Sequence, residues 1–248
     1  MLKIAMRFWR ILVVNLAALS LIGQERPIGQ GVNFYTKEKE AALGKQFANE
    51  VLRTTTRLDD DAAQAYVERV GGKLAEHLPD TSWTFHFAVI VDDRGGPTHE
   101  PVALPGGYIF VPQGLLKTTQ DENEFAGMLA HAMVHTAARH GTRDATRMEI
   151  ANQTTIPLIY IGGWPRAESI MIPVAFRKFW RACEFEADRV AVSTMAAAGY
   201  DPAALLRYIR RVEPELTEAK QANSSMPAHA QRVEALEKAI GSLNHQPI

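Results

Sequence analysis

One stretch of twenty residues, Asp121 to His140, constrains this chain more than any other. It opens on the acidic Asp121, Glu122 and Glu124, and Gly141 stands just past its end. Carboxylates suit the positive end of a helix dipole and glycine suits the far terminus, so the stretch predicts one long helix. Within it lies His131-Ala132-Met133-Val134-His135. Positions four apart on a helix differ by about 40° in direction and sit about 6 Å apart, so both imidazoles can reach one cation. Eight histidines in 248 positions would supply such a pair by chance about a quarter of the time, so two unrelated surface histidines stay an open alternative. The same geometry puts His140, nine residues past His131, on the opposite face and outside any site.

A second helix, predicted to follow Pro173 and to run to Ala198 before Gly199, carries Glu184-Phe185-Glu186-Ala187-Asp188. Glu184 and Asp188 share a face, whereas Glu186 points elsewhere. Two histidines with one carboxylate from another helix leave a zinc coordination position open for water. An aspartate one turn further on could orient a ligating histidine from behind. A solvated acidic face is the competing account of the same spacing. Cys183 faces about 100° away from Glu184 and is expected to be a buried thiol, with Trp180 in the core. As the sole cysteine it excludes a disulfide framework and a four-thiolate zinc site.

The remaining elements are expected as follows. Thr36 to Arg53 reads as a helix with Leu43, Phe47 and Val51 spaced four apart on one face. Asp59, Asp60 and Asp61 can cap the next, which follows Ala63, Tyr66, Val67, Val70 and Leu74 and is weakened near Gly71 and Gly72. Trp83 to Val91 alternates as a strand, Asp92 to His99 is a turn-rich loop, and Tyr108 to Val111 is a second strand. Helices follow at Arg143 to Thr154, Pro202 to Val212 and His229 to Ile240. Ile156 to Met171, broken by Gly162, Gly163 and Pro165, suggests a flap over a cleft, with plain packing or membrane proximity as alternatives. Helices thus dominate, with a small sheet set among them: an α+β layout in one domain over 33–248.

Composition narrows the function. With 46% hydrophobic and 22% charged residues the chain suits a globular fold. A net charge of −1 and a pI near 6.7 give no basic field for nucleic acid. Residues 1–24 differ from the rest: Lys3, Arg7 and Arg10 precede an apolar run from Ile11 to Gly23. That is the pattern of a secretory signal, and it implies a periplasmic or secreted protein. A retained N-terminal anchor or a buried amphipathic helix are the other accounts. Setting the leader's three positive charges aside leaves the remainder at −4.

In order and spacing, four segments together are specific. They are Ala103-Leu104-Pro105-Gly106-Gly107-Tyr108-Ile109; Leu129-Ala130-His131 through His135 with Arg139-His140; Glu184 to Asp188; and Ala198-Gly199-Tyr200-Asp201-Pro202. From about Asn33 to Leu236 the chain resembles the zinc metallopeptidases of the CAAX prenyl protease and HtpX-like family, particularly its exported bacterial branch. The resemblance implies a mainly helical zincin-type domain with a small β-sheet beside the metal-binding helices. It implies Zn2+ on His131, His135 and Glu184, with Asp188 behind them. It further implies that Leu104, Pro105, Gly106, Gly107 and Tyr108 belong to the strand along the cleft, where an unfolded or extended polypeptide can add to the sheet edge. Misfolded or envelope proteins are the substrates it suggests.

Two positions depart from that family pattern. Ala132 stands where the family's His-Glu-x-x-His glutamate belongs, the residue that takes a proton from water and passes it to the leaving amine. Glu124 shares the face of His131 but lies about 10.5 Å along the helix, too far to stand in. The family's exported members carry His-Pro ahead of the last helix, and here that position is Met226-Pro227, with His229 the nearest candidate to replace it. Two departures point to a natural loss rather than an engineered change. The expectation is a zinc-bound domain of severely impaired catalysis, or a peptide-binding or chaperone-like module.

Overall fold

The computed structural model describes residues 28–91, 100–160, 165–213 and 216–243, with backbone alone at 152–160 and 165–175. The leader at 1–24 and the loop at 92–99 lie outside these residues. So do the side chains on which a flap at 156–171 would depend.

Helix α1 (Lys37–Thr54) begins where the Thr36 side chain accepts from Lys39 N–H. Its buried residues are Glu40, Gly44 and Ala48, not the expected Leu43–Phe47–Val51 face; Phe47 is exposed. Small residues win because α1 sits directly on the turn Pro105–Gly107. A Cβ at Gly44 would fall 1.8 Å from the Pro105 carbonyl oxygen. Within the turn Gly106 has φ 75°, a conformation that side chains with a Cβ rarely adopt. Gly44→Ala is therefore expected to cost about 2 kcal/mol, because backbone must move to admit one methyl. A urea unfolding midpoint equal to the parent's would refute this account of the contact.

Strand β1 (Thr56–Arg57) leads to helix α2 (Asp61–Ala75), capped by Asp60 and buried through Val67, Val70, Gly71 and Leu74. Strand β2 (His86–Val91) pairs in parallel with β4 (Tyr108–Pro112), and β3 (Val102–Ala103) lies antiparallel along the outer side of β4. The sheet order is β1-β2-β4-β3, with β1 antiparallel to β2. Alternation over Trp83–Val91 overstated the strand's length and its one-sidedness: Ala88, Val89 and Ile90 are all buried. The cause is cover on both faces. Val89, Ile109 and Val111 join the core under α2, whereas Ala88, Ile90 and Phe110 pack with Ala48 of α1.

After the short α3 (Gln113–Thr118) comes α4 (Glu122–Ala137), capped by the Asp121 carboxylate on Glu124 N–H at 2.9 Å. Thirteen of its sixteen residues are buried, so it runs through the core rather than over it. It stops earlier than the sequence suggests. Arg139 turns the chain with φ 60°, and a separate helix, α5 (His140–Tyr160), starts at once. Nothing in glycine or proline content marks this break. The Arg139 guanidinium, bonded to Glu40 at 3.0 Å and to the Tyr35 carbonyl, holds it.

Helix α6 (Pro165–Ala197) starts on Pro165 and runs through Pro173, where the sequence predicted its start. Proline is tolerated in a first helical turn, and the 33-residue helix absorbs the one backbone bond lost at Pro173. Helices α7 (Ala203–Val212), α8 (Glu218–Asn223) and α9 (His229–Leu243) complete the chain. The architecture is α+β, mainly helical, with a small mixed sheet. Among the described residues no helix is long and apolar enough to cross a membrane.

Candidate metal centre

Helices α4 and α6 pack side by side, which brings His131 and His135 opposite Glu184. The two Nε2 atoms are 3.1 Å apart; Glu184 Oε2 lies 3.3 Å from His131 Nε2, and Oε1 lies 3.6 Å from His135 Nε2. Zinc bonds to nitrogen and oxygen of about 2.0–2.1 Å at tetrahedral angles separate ligand atoms by about 3.3 Å. The donor set fits that triangle.

Hydrogen bonding favours the same conclusion. His131 Nδ1 donates to Asp188 Oδ1 at 2.8 Å, so that a neutral ring turns its Nε2 lone pair towards the other donors. Burial disfavours a charged His131, yet the bonds to Asp188 and Glu184 outweigh it and push the imidazole up to about 10. Burial and the neighbouring His131 push His135 down to about 3. Burial would raise Glu184, but His131 holds its carboxyl at about 2. A site that draws a proton onto one buried imidazole while keeping its carboxylates ionised is a site that calls for a cation.

Behind Asp188 stands Arg232 of α9, fully buried, donating from Nε at 2.8 Å and from Nη2 at 3.0 Å. Burial opposes ionisation of Asp188, but Arg232 and His131 hold its carboxyl well below the usual range. The stability this pairing contributes is present above the ordinary aspartate range and is lost progressively as pH falls from that range through the lowered value of the folded protein. Arg232 also meets Glu213 at 3.2 Å and Glu100 at 3.7 Å.

The cleft over these donors is lined by Glu100, Pro101, Ala103, Leu104, Pro105, Ala132, Thr136 and Trp180, among others. Ala132 therefore lines the cleft beside both imidazoles. Of the five positions expected along the strand, Leu104 and Pro105 line the cleft. Gly106 lies against α1, Gly107 approaches the Thr84 carbonyl, and Tyr108 stacks on His86 with ring centres 4.8 Å apart. Thr136 Oγ1 donates to the Leu104 carbonyl at 3.2 Å, tying the turn to α4. Trp180, expected in the core, is a half-buried cleft residue. Cys183 is buried, and burial raises its thiol to about 12. Glu124 is bound by Arg211 and by Gln120 N–H. His229 sits 3.8 Å from Glu213, and neither it nor Met226 is among the lining residues.

His140 requires a correction. Ideal helix geometry put it on the far face, but the break at Arg139 swings it back, so that its Nδ1 lies 3.0 Å from His135 Nδ1. Its Nε2 lies 2.9 Å from Glu186 Oε2, which places Glu186 in the same assembly. Arg232 and Glu100, too, escaped the sequence reading, since no local spacing joins them to the metal helices.

Two imidazoles one turn apart on the buried helix α4, a glutamate from the neighbouring helix α6 and a small mixed sheet define a zincin-type metallopeptidase domain. Residues 61–240 match peptidase family M48, and the chain belongs to that family of zinc metallopeptidases. Similar proteins include the putative beta-barrel assembly-enhancing protease of Vibrio cholerae, 24% identical over 206 residues, covering 78% of this chain and 42% of that protein. The beta-barrel assembly-enhancing protease of Escherichia coli is 22% identical over 193 residues, 70% of this chain and 37% of its own length. The mitochondrial metalloendopeptidase OMA1 of Schizosaccharomyces pombe is 27% identical over 192 residues, 70% and 52% respectively. The chain thus spans about half or less of the length of these relatives.

Proposed function

We propose that this chain holds zinc, takes extended polypeptide into its cleft and, with alanine at position 132, hydrolyses it slowly. The observation that carries this reading is the methyl group of Ala132 in the cleft wall beside an intact donor set. Zinc, when bound, supplies Lewis-acid polarisation of the scissile carbonyl and activation of water. The chain's own residues do the rest. His131, His135 and Glu184 hold the ion, and Asp188 orients His131. Strand β3 forms the sheet edge beside the cleft, where an extended segment can add main-chain hydrogen bonds. Leu104, Pro105 and Trp180 shape the walls, while Gly106, Gly107 and Tyr108 support the strand from behind. Among the described cleft residues no free group stands at position 132 to accept a proton from the attacking water, and His229, the candidate to replace it, is not one of the lining residues.

The same methyl group favours a second reading: a zinc-bound peptide-binding or chaperone-like module without turnover. In both readings the occupant is an unfolded or misfolded polypeptide. The names of the bacterial relatives, which concern β-barrel assembly, support an envelope substrate. Export by residues 1–24 would deliver the domain to the periplasm, membrane-anchored if the leader is retained.

Metal analysis after dialysis, with binding and cleavage of unfolded casein, tests this reading. About one zinc per chain, casein binding and slow, chelator-sensitive cleavage are expected. A dialysed protein without zinc would overturn it. Binding with zero turnover would select the module over the enzyme.

A further inference from the structure

His131 owes its orientation to Asp188, and the sequence offers His135 no counterpart. The structure does. His135 Nδ1 meets His140 Nδ1 at 3.0 Å, His140 Nε2 meets Glu186 Oε2 at 2.9 Å, and Glu186 Oε1 accepts from Gly29 N–H at 3.2 Å. Arg143 Nη1 lies 3.9 Å from the same carboxylate.

The hydrogens in this chain of contacts have one consistent arrangement. An ionised carboxylate only accepts, so His140 Nε2 carries its ring hydrogen. A neutral imidazole has one N–H, so His140 Nδ1 is the acceptor and His135 Nδ1 is the donor. His135 Nε2 is then left with a lone pair, aimed at Glu184 and His131. The other tautomer would place an N–H among the metal donors and break the bond to His140. Since the His140 side chain is fully buried, its ring has no room to adapt.

We propose that His140 and Glu186 are positioning residues, which fix the tautomer and ring angle of His135 so that it is ready to ligate. This rests on the zinc-holding reading above. The two ring ligands then have separate supports: Asp188 and Arg232 behind His131, and His140 and Glu186 behind His135. A ligand whose tautomer is fixed in advance loses nothing to rearrangement on metal capture, and such outer partners typically change affinity 10–100-fold.

Zinc affinity by chelator competition, the visible spectrum of the cobalt-substituted protein, and unfolding of the metal-free protein test the proposal. His140→Leu removes the acceptor and should weaken zinc binding about 10–100-fold while altering the cobalt spectrum. His140→Asn keeps an oxygen near the Nδ1 position and should stay within about three-fold of the parent. Glu186→Gln, at a more exposed side chain, should lose about ten-fold. A merely structural role would lower metal-free stability, leave the affinity of the folded protein unchanged, and rank Asn with Leu. That pattern, or unchanged affinity in both His140→Leu and Glu186→Gln, overturns the proposal. If His140→Leu does not fold, Glu186→Gln decides alone. A parent that binds no zinc overturns the zinc reading itself; a tight-binding parent with indifferent variants overturns only this step.

Discussion

Replacing Ala132 by glutamate is expected to raise zinc-dependent cleavage of casein by about 10²–10⁴-fold, the range that a positioned acid–base group contributes. Position 132 lies between the two histidine ligands and faces the cleft, so a carboxylate there would meet the attacking water as the substrate carbonyl is polarised. Among the described residues no other cleft carboxylate has that freedom. Glu184 is held among the ring donors, and Glu40 is buried against Arg139, Thr142 and Asn33. Glu100 lies towards Arg232 rather than between the rings. The gain should appear in kcat more than in KM, because the added group acts on the reacting atoms and not on peptide docking. A variant that binds zinc and casein as the parent does, yet cleaves no faster, would show a site decayed beyond this residue.

The second large effect concerns stability. Arg232→Met should cost about 3–5 kcal/mol in urea unfolding of the metal-free protein. The guanidinium is fully buried, and removing it leaves the ionised Asp188 with the His131 imidazole as its one remaining charge partner among the described residues. Glu213, half-buried and raised mainly by burial, would lose its closest cation as well. Combining Arg232→Met with Asp188→Asn should recover part of the loss, since the double variant has no unpaired charge at position 188. If the two single losses simply add in the double variant, the pair is not coupled and the assignment of the network fails.

Much of this was legible in the sequence for a definite physical reason. His131 with His135, and Glu184 with Asp188, are each one helical turn apart, and periodicity is a local property that spacing reveals. The helix capped by Asp60 and the buried positions Val67, Val70 and Leu74 were legible on the same grounds. What escaped depends on contacts distant in sequence. The inner face of α1 is set by the Pro105 carbonyl rather than by the apolarity of Phe47. The long helix predicted through His140 is two helices, because Arg139 is held in a left-handed turn by Glu40, 99 positions away. His140 was dismissed by correct geometry applied to a helix that had already ended. Arg232 meets Asp188 from 44 residues further along the chain, where no periodicity could announce it.

Helix α4 runs through the core, and this bears on how an ion would be taken up. Flexible sites assemble around their metal, and the binding free energy then includes the entropy of ordering the loops that bear the ligands. Here two of the three proposed ligands, His131 and His135, ride on a helix whose conformation is settled by its apolar neighbours before any ion arrives. On the proposed zinc-holding reading, capture would be a docking event with a preformed receptor, and folding and metallation would be separable steps in the life of the protein.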